Sequence, residues 1–250
     1  MKKYLVLLLA LILSGNILAQ ENLQKARKNQ FALGFGGLIQ RKPYKGYDTK
    51  GYPLPYIYYE SDSFFFRQLT AGYHIYSKRN ISLDFILKGR LDGYDDDDSH
   101  IFEGMDDRDH TIDAGIKLSV YDGWGMATLY VVGDTLSKHE GYEAELTYAK
   151  RFTDGKLTLI PSLGLAYESQ NLVDYYYGVR DDEIRAGRPA YEAGNEVSFL
   201  ASLGLRYQLD EKWDIYSFTS YRWLGSEITK SPLVGRDYEI SVGAGLAYEF

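Results

Sequence analysis

The stretch that decides the fold is Tyr238-Glu239-Ile240-Ser241-Val242-Gly243-Ala244-Gly245-Leu246-Ala247-Tyr248-Glu249-Phe250. Every second residue from Tyr238 onward is apolar or aromatic, and the residues between are acidic or small. This period of two is typical of a β-strand with one apolar face. Aromatic residues stand at both ends of that face, as two membrane interfaces require, and about ten residues in a tilted strand cross a bilayer. The stretch therefore predicts the closing strand of a transmembrane β-barrel.

The N-terminal segment predicts export. Lys2 and Lys3 precede an apolar run, residues 4–13, and then a small-residue region that ends at Ala19. An apolar run of about ten residues is too short to span a membrane as a helix but suits a secretory signal peptide. We expect a cleaved signal peptide over residues 1–19, a short periplasmic leader over 20–30 and a barrel over 31–250. The sequence has no Cys, which excludes a lipoprotein anchor and any disulfide.

Composition agrees with a membrane barrel. The sequence contains 25 Gly, 24 Tyr and 6 Pro, which fits half-polar strands with aromatic girdles. A Tyr-rich soluble β-sandwich is the alternative. The net charge of −7 argues against a nucleic-acid partner.

Alternating segments and the turns between them predict the number of strands. The predicted strands are 31–40, 52–60, 63–68, 69–77, 81–91, 111–121, 124–134, 142–152, 156–168, 195–209, 213–224 and 238–250. Long connections then alternate with short ones along the chain, as in bacterial barrels with long outer loops and short periplasmic turns. We therefore expect an antiparallel up-and-down barrel of about twelve strands in the cell outer membrane, in contact with outer-membrane lipid and lipopolysaccharide. Ten strands remain the alternative if region 63–77 is irregular.

One sequence motif contains the residue types of a catalytic triad. Ser137, His139 and Glu140 are near neighbours, and a membrane-embedded lipid hydrolase would use Ser, His and an acid. However, adjacent residues on a strand point to opposite faces, whereas a nucleophile and its base must be within about 3 Å. A loop histidine with solvated neighbours is the simpler interpretation.

An acidic segment is the other candidate site. Asp95 to Asp98 precede four further acidic residues, Glu103, Asp106, Asp107 and Asp109, and such oxygens could bind a hard divalent cation. The segment lacks the Asp-x-Asp-x-Asp-Gly order of a calcium loop, which favours a solvated outer loop. No Cys/His zinc spacing or phosphate-binding Gly loop occurs. We assign no catalytic, metal-binding or cofactor-binding residue.

Charged residues recur on the predicted inward face of the strands. They carry both signs, and two arrangements remain open: they could line a water-filled passage or pair into a plug. The residues are Asp84, Lys88, Arg90, Asp113, Lys117, Glu143, Glu145, Arg151, Glu168, Glu196 and Arg206.

Several stretches resemble the MipA/OmpV outer-membrane family. Tyr175-Tyr176-Tyr177-Gly178-Val179, a short insert over 183–187 and Pro189-Ala190-Tyr191-Glu192-Ala193-Gly194 are similar to that family's Tyr-Gly-Val loop, helical insert and Pro-Ala-Tyr turn. Lys138-His139-Glu140-Gly141, Ser231-Pro232-Leu233-Val234 and the Leu54-Pro55 strand agree in the same order. The resemblance covers essentially the whole mature chain and implies an outer-membrane barrel without known catalytic residues.

The resemblance also implies a function. The best-known member of the family is a scaffold that links a murein-degrading lytic transglycosylase to a murein polymerase. We therefore expect a non-enzymatic barrel that organises peptidoglycan-remodelling enzymes, with murein hydrolase and synthase partners at its periplasmic face. A small-solute channel is the main alternative, and a lipid hydrolase is a third.

Overall fold

The computed structural model describes residues 30–250, which form one closed, antiparallel β-barrel of twelve strands. The predicted strand number is therefore correct. The expected signal peptide, 1–19, and nearly all of the leader lie outside the described residues. The strands are β1 (Gln30–Arg41), β2 (Lys50–Glu60), β3 (Phe64–Arg67), β4 (Thr70–Lys78), β5 (Ile81–Arg90), β6 (Thr111–Asp122), β7 (Gly125–Asp134), β8 (Tyr142–Ala149), β9 (Phe152–Asp154), β10 (Leu157–Glu168), β11 (Glu196–Gln208), β12 (Trp213–Trp223) and β13 (Tyr238–Glu249).

The segments β8 and β9 are two parts of one barrel strand. Both pair with β10 in the same register, since Ser162 lies opposite Ala149 and Leu159 lies opposite Phe152. Between them, the Lys150 N–H donates to the Pro161 carbonyl at 3.1 Å, but Pro161 has no N–H to return the bond. The predicted strand 142–152 is therefore interrupted by a single missing donor.

Side chains alternate between the outer and inner faces of the wall. In β5, Phe85 and Leu87 are exposed on the outside, whereas Asp84, Lys88 and Arg90 are buried inside. The outer face is accordingly apolar, as lipid requires, and the charged residues point into the lumen. Within the described part of the chain, no helix is long and apolar enough to cross a membrane.

Glycines on the inward face allow the wall to pack closely. Gly36 lies opposite Gly245 where β1 meets β13, and a Cβ on Gly36 would sit 2.1 Å from the carbonyl oxygen of Ala244. A Cβ on Gly243 would likewise lie 2.3 Å from the ring of Phe218. Gly36 therefore tolerates no side chain because its neighbour is backbone, and a side chain at position 243 would require the Phe218 ring to move.

The connections differ at the two ends of the barrel. Short turns join the strands at the periplasmic end, and the long connections collect at the outer end. The outer connections carry two short helices, α1 (Gln170–Tyr177) and α2 (Ser226–Thr229), and a 3₁₀ turn (Asp181–Glu183).

The exception to this order is the β3–β4 hairpin, which is only four residues tall on its β3 side. Its tip, Gln68 and Leu69, reaches the level of Ile57 in β2, where the Gln68 N–H donates to the Ile57 carbonyl at 3.0 Å. Above that level, no strand among residues 30–250 pairs with this edge of β2. The short strand predicted from the alternation of long and short loops is confirmed. Because it is short, the wall has a gap beside the upper part of β2.

Candidate functional site

The long outer connections fold together into a cap with its own hydrophobic core. The core residues are Tyr44, Tyr47, Tyr94, Ile101, Phe102, Met105, Leu172, Val173, Tyr176, Tyr177, Val179, Ala193, Leu224, Ile228, Leu233 and Val234. Tyr44 lies at the centre, with ring centroids 5.0 Å from Phe102, 5.3 Å from Tyr94 and 5.5 Å from Tyr177. These rings come from different connections, so their burial joins the loops into one unit that covers the outer mouth.

Two buried arginines hold the cap together. Nη2 of Arg108 donates to both carboxylate oxygens of Glu183 at 2.9 Å. Arg188, which is only 1% exposed, donates through Nε and Nη2 to the Glu183 carbonyl at 2.9 and 2.6 Å. Burial raises the pKa of the Glu183 carboxyl, but the Arg180 N–H and the Arg108 guanidinium offset that effect and hold it below its usual value. Glu183 is therefore a charged anchor between two loops.

The upper lumen contains a dense network of ion pairs. Lys88 Nζ lies 2.9 Å from Glu143 Oε1, and Arg90 Nε donates to Asp113 Oδ2 at 2.8 Å while also pairing with Glu143. Tyr130 donates to Glu145 Oε2 at 2.8 Å. All of these residues are at most 6% exposed. Side chains lining a wide aqueous passage would be wetted, whereas these charges are buried and pair with one another.

A second network fills the lower lumen beside the short hairpin. Arg67 Nη2 is 2.7 Å from Glu60 Oε2, and His74 lies between Glu60 at 3.0 Å and Asp84 at 2.7 Å. Lys117 Nζ completes the network 3.2 Å from the other oxygen of Asp84. These charges also satisfy one another, as buried charges must.

The remaining predicted inward charges have other neighbours. Glu168 pairs with Arg222, and Arg206 pairs with Asp214 at 2.6 Å. Glu196 belongs to the cap, because its Oε2 accepts the Glu227 and Ile228 N–H groups at the start of α2. Arg151 is half-buried, and its Nε and Nη2 have no partner within residues 30–250.

The structure separates the residues of the triad-like motif. Ser137 is exposed and Glu140 is exposed, whereas His139 is buried. The Gly141 N–H donates to His139 Nδ1 at 3.0 Å, so Nε2 carries the ring proton and donates to Asp113 Oδ1 at 3.1 Å. Both ring nitrogens are thus occupied, and His139 ties its loop to the barrel wall.

Asp113, Asp134 and His139 are close enough together to resemble a metal site. Their lone pairs already accept hydrogen bonds, however. Asp134 Oδ1 accepts from Thr111 Oγ1 at 2.8 Å, and Oδ2 accepts from the backbone N–H groups of residues 138–140. Asp113 accepts from Arg90 and His139. This cluster fixes the loop after β7.

The acidic outer segment does not converge on one point. Asp98 pairs with Lys50, Asp106 with Arg180 at 2.7 Å, Glu103 with Arg185 at 3.2 Å and Asp109 with Lys138 at 2.6 Å. These four carboxylates therefore link the segment to four different cationic side chains. The segment is a set of loop contacts on the outside of the cap.

The cap was not foreseen from the sequence. Its aromatic residues lie in connections without a regular period, so pattern reasoning classed them only as loops. The density of Tyr at 175–177 was the available signal. Exposing three consecutive aromatic residues to water is unfavourable, so their presence in a connection indicates that they pack against another part of the protein.

Comparison with known proteins agrees with this architecture. Residues 33–250 match the family described as MltA-interacting protein MipA. The MltA-interacting protein of Escherichia coli K12 is 31% identical over 226 residues, which cover 89% of this chain and 91% of that protein. The outer membrane protein OmpV of Vibrio cholerae is 29% identical over 257 residues, covering both chains fully. Among solved structures, an outer-membrane channel from Pseudomonas putida F1 aligns with a TM-score of 0.44 and 12% identity, covering 90% of this chain and 96% of that one. The chain is therefore an outer-membrane β-barrel that belongs to the MipA family.

Proposed function

We propose that this protein is a non-enzymatic barrel that holds peptidoglycan-remodelling enzymes at the periplasmic face of the outer membrane. The observation that carries the proposal is the crowded interior: buried ion pairs occupy much of the lumen, and the loop-built cap lies over its outer mouth. Because side chains of the barrel occupy the interior, we infer that the protein functions through its outer surfaces. The name of the Escherichia coli relative, MltA-interacting protein, supports a murein enzyme as partner.

The periplasmic surface consists of short, polar turns. Asp122-Gly123, Asp154-Gly155 and Glu211-Lys212 are exposed and present charges of both signs. Trp124, which is 45% exposed, stacks on Tyr148 with ring centroids 5.9 Å apart next to the first turn. A flat surface of this kind suits a partner that is itself attached to the membrane, because the shared membrane raises its effective concentration.

The test uses two glycines with matched surroundings. A short epitope inserted at Gly123 would interrupt the periplasmic surface, and the same epitope at Gly187 would decorate the outer cap; no atom lies within 4 Å of a Cβ at either position. We expect the detergent-solubilised barrel to capture a lytic transglycosylase from envelope extract. The Gly123 insertion should abolish capture, and the Gly187 insertion should preserve it. Failure of the unmodified barrel to retain any murein enzyme would contradict the scaffold.

A small-solute channel is the second candidate, and one observation favours it. Several inward polar atoms have no partner within residues 30–250: Ser198 Oγ, Asp214 Oδ1, Tyr216 Oη and Arg222 Nε. They lie on β11 and β12, and buried polar atoms of this kind require water. A hydrated path along these strands would give stepwise conductance in a planar bilayer. Absence of conductance in the unmodified barrel would contradict the channel and leave the scaffold as the remaining proposal.

A further inference from the structure

The gap beside β2 is encoded in the sequence of that strand. In an antiparallel ladder, the N–H and C=O of one residue point to the same neighbouring strand, and this direction alternates along the chain. The Ile57 carbonyl accepts from Gln68, so odd-numbered residues of β2 face the β3 side. The register of β2 against β1 is regular from Lys50 to Glu60, so Pro53 and Pro55 face the same side.

Both prolines therefore direct their missing N–H groups into the gap. Proline is tolerated in a sheet only where no ladder hydrogen bond is lost, and it also discourages another strand from pairing. Within residues 30–250, no strand pairs with about 20 Å of β2, from Lys50 to Tyr56, on this side. Two prolines at alternate positions therefore disfavour pairing of another strand with this edge of β2.

The opening, which we call the lateral window, has defined borders. Its lower border is the hairpin tip at Gln68 and Leu69, and the Lys50–Asp98 ion pair lies at its upper end. Behind it, Tyr52 and Leu69 pack against the lumen cluster of Leu38, Ala149, Ile160 and Phe218. Those four side chains are buried, whereas Tyr52 and Leu69 are half-buried. Tyr52 and Leu69 therefore form a partly exposed apolar surface at the border of the window, with the buried cluster behind them.

The polarity and hydrogen-bonding groups of the β2 edge indicate which kind of molecule can bind in the window. The outer wall around the window is apolar, with Phe35 71% exposed and Leu87 42% exposed, so the window opens toward hydrocarbon. An unpaired backbone carbonyl in hydrocarbon costs several kcal/mol unless a donor reaches it. The carbonyls of Pro53 and Pro55 can accept hydrogen bonds, and the same residues donate none. The edge therefore fits an apolar molecule that carries O–H or N–H donors, and it disfavours a carboxylate or a β-strand.

We infer that the lateral window binds the lipid A portion of lipopolysaccharide from the outer leaflet. Lipid A combines acyl chains with hydroxyl and amide N–H groups close to its sugars. Its donors reach the proline carbonyls, and an acyl chain lies against Leu69 and Tyr52. The window lies in the half of the wall nearer the cap, which is the outer-leaflet half. This binding is independent of any periplasmic partner.

The test is photo-crosslinking in intact outer membranes. Leu69→p-benzoylphenylalanine places the probe in the window. The same substitution at Leu165, which is 49% exposed on the outer face of the fully flanked strand β10, is the control. We expect the probe at position 69 to form several times more cross-linked lipopolysaccharide than the probe at position 165. Equal yields, or cross-links mainly to phospholipid or to another protein, would overturn the inference.

A blocking variant gives a second readout that does not depend on the yield of one probe. Gly51 lies beside the window, and a Cβ there would meet one backbone oxygen, at 3.9 Å. The control is Val131, which is exposed on the outer face of β7, a strand that is paired on both sides and does not border the window. Gly51→Trp should lower the cross-linking from position 69, and Val131→Trp should leave it unchanged. Both variants should keep the gel mobility of the folded barrel. Equal effects of the two substitutions on folded protein would also overturn the inference.

Discussion

Arg108 and Glu183 lie 75 residues apart in the chain and are joined by two hydrogen bonds of 2.9 Å from a single guanidinium nitrogen. Both side chains are buried, at 1% and 3% exposure. The pair connects the loop after β5 to the loop after β10. The two longest outer connections therefore move as one body, and the stability of the cap depends on a contact that neither loop makes alone.

Removal of Arg108 should loosen the cap without opening the barrel. Arg108→Ala leaves the Glu183 carboxylate buried without its partner, and breaking a buried pair in this way costs about 3–5 kcal/mol. We expect rapid trypsin cleavage near Arg185 while the strands stay protected. Arg180→Ala is the matched control, because the Arg180–Asp106 pair joins the same loops but is 52% and 69% exposed. Exposed pairs contribute about 0–1 kcal/mol, so its cleavage should match the unmodified protein.

The cap should also weaken in acid. The pKa of Glu183 is lower in the folded protein than its usual value, so its contribution to stability is present above the unfolded pKa, about 4.3, and is lost as the pH falls through the folded value. The protection of residues 181–188 against hydrogen exchange, corrected for the intrinsic exchange rate at each pH, should fall below about pH 4. Glu183→Gln should exchange faster at neutral pH and lose most of this dependence. An unchanged acid response in that variant would show that another group controls the cap.

Arg90 should keep the upper lumen closed. It contacts both Asp113 and Glu143, so Arg90→Ala leaves two buried carboxylates without their shared cation. Mutual repulsion and hydration of these groups should enlarge the lumen. We expect higher conductance in planar bilayers and unfolding at a lower urea concentration. Lys138→Ala, which removes an exposed ion pair on the cap, should change neither measurement.

The seam between β1 and β13 should not tolerate a methyl group on its inner side. Gly36→Ala would place a Cβ 2.1 Å from the Ala244 carbonyl oxygen, whereas Gly37→Ala on the outer face has its nearest neighbour at 3.9 Å. We expect Gly36→Ala to reduce the amount of heat-modifiable, folded barrel in the outer membrane. The Gly37 variant should assemble normally. Equal assembly would mean that the seam relaxes more than a closed ladder allows.

The Ser137–His139 motif should have a structural effect only. Ser137→Ala changes an exposed loop residue and should alter neither stability nor lipid turnover in the outer membrane. His139→Ala removes the bridge between Gly141 and Asp113 and should increase exchange in the loop after β7, again with unchanged lipid turnover. Reduced lipid turnover in both variants would support the lipid-hydrolase hypothesis.

The barrel itself could be predicted because its physical cause is local. Lipid on one side and a polar lumen on the other impose a period of two, which is visible in segments such as Ile81 to Arg90 without knowledge of their neighbours. Loop length then gave the direction of each strand. That argument required a separate strand at 63–68, although the segment is short, and β3 occupies it.

The interior could not be predicted because its cause is pairing across the barrel. Lys88 and Glu143 are 55 residues apart, and their contact depends on the register of several ladders. The sequence therefore indicated inward charges but not whether they paired. The lateral window was hidden for a similar reason. Pro53 and Pro55 were visible within a strand. However, the direction of their missing N–H groups depends on the register of β2, and the absence of a partner on that side depends on the height of the β3–β4 hairpin.

The closing seam has one more consequence. β13 completes the wall by pairing with β1, and the ring of Phe250 rests 5.1 Å from that of Phe31 while its N–H donates to the Phe31 carbonyl at 3.0 Å. A polypeptide that lacked β13 would expose two unpaired strand edges to the lipid, one on β1 and one on β12. Closure therefore requires the complete set of strands, and a chain that stops short of β13 keeps two unsatisfied strand edges in a medium that supplies no hydrogen bonds.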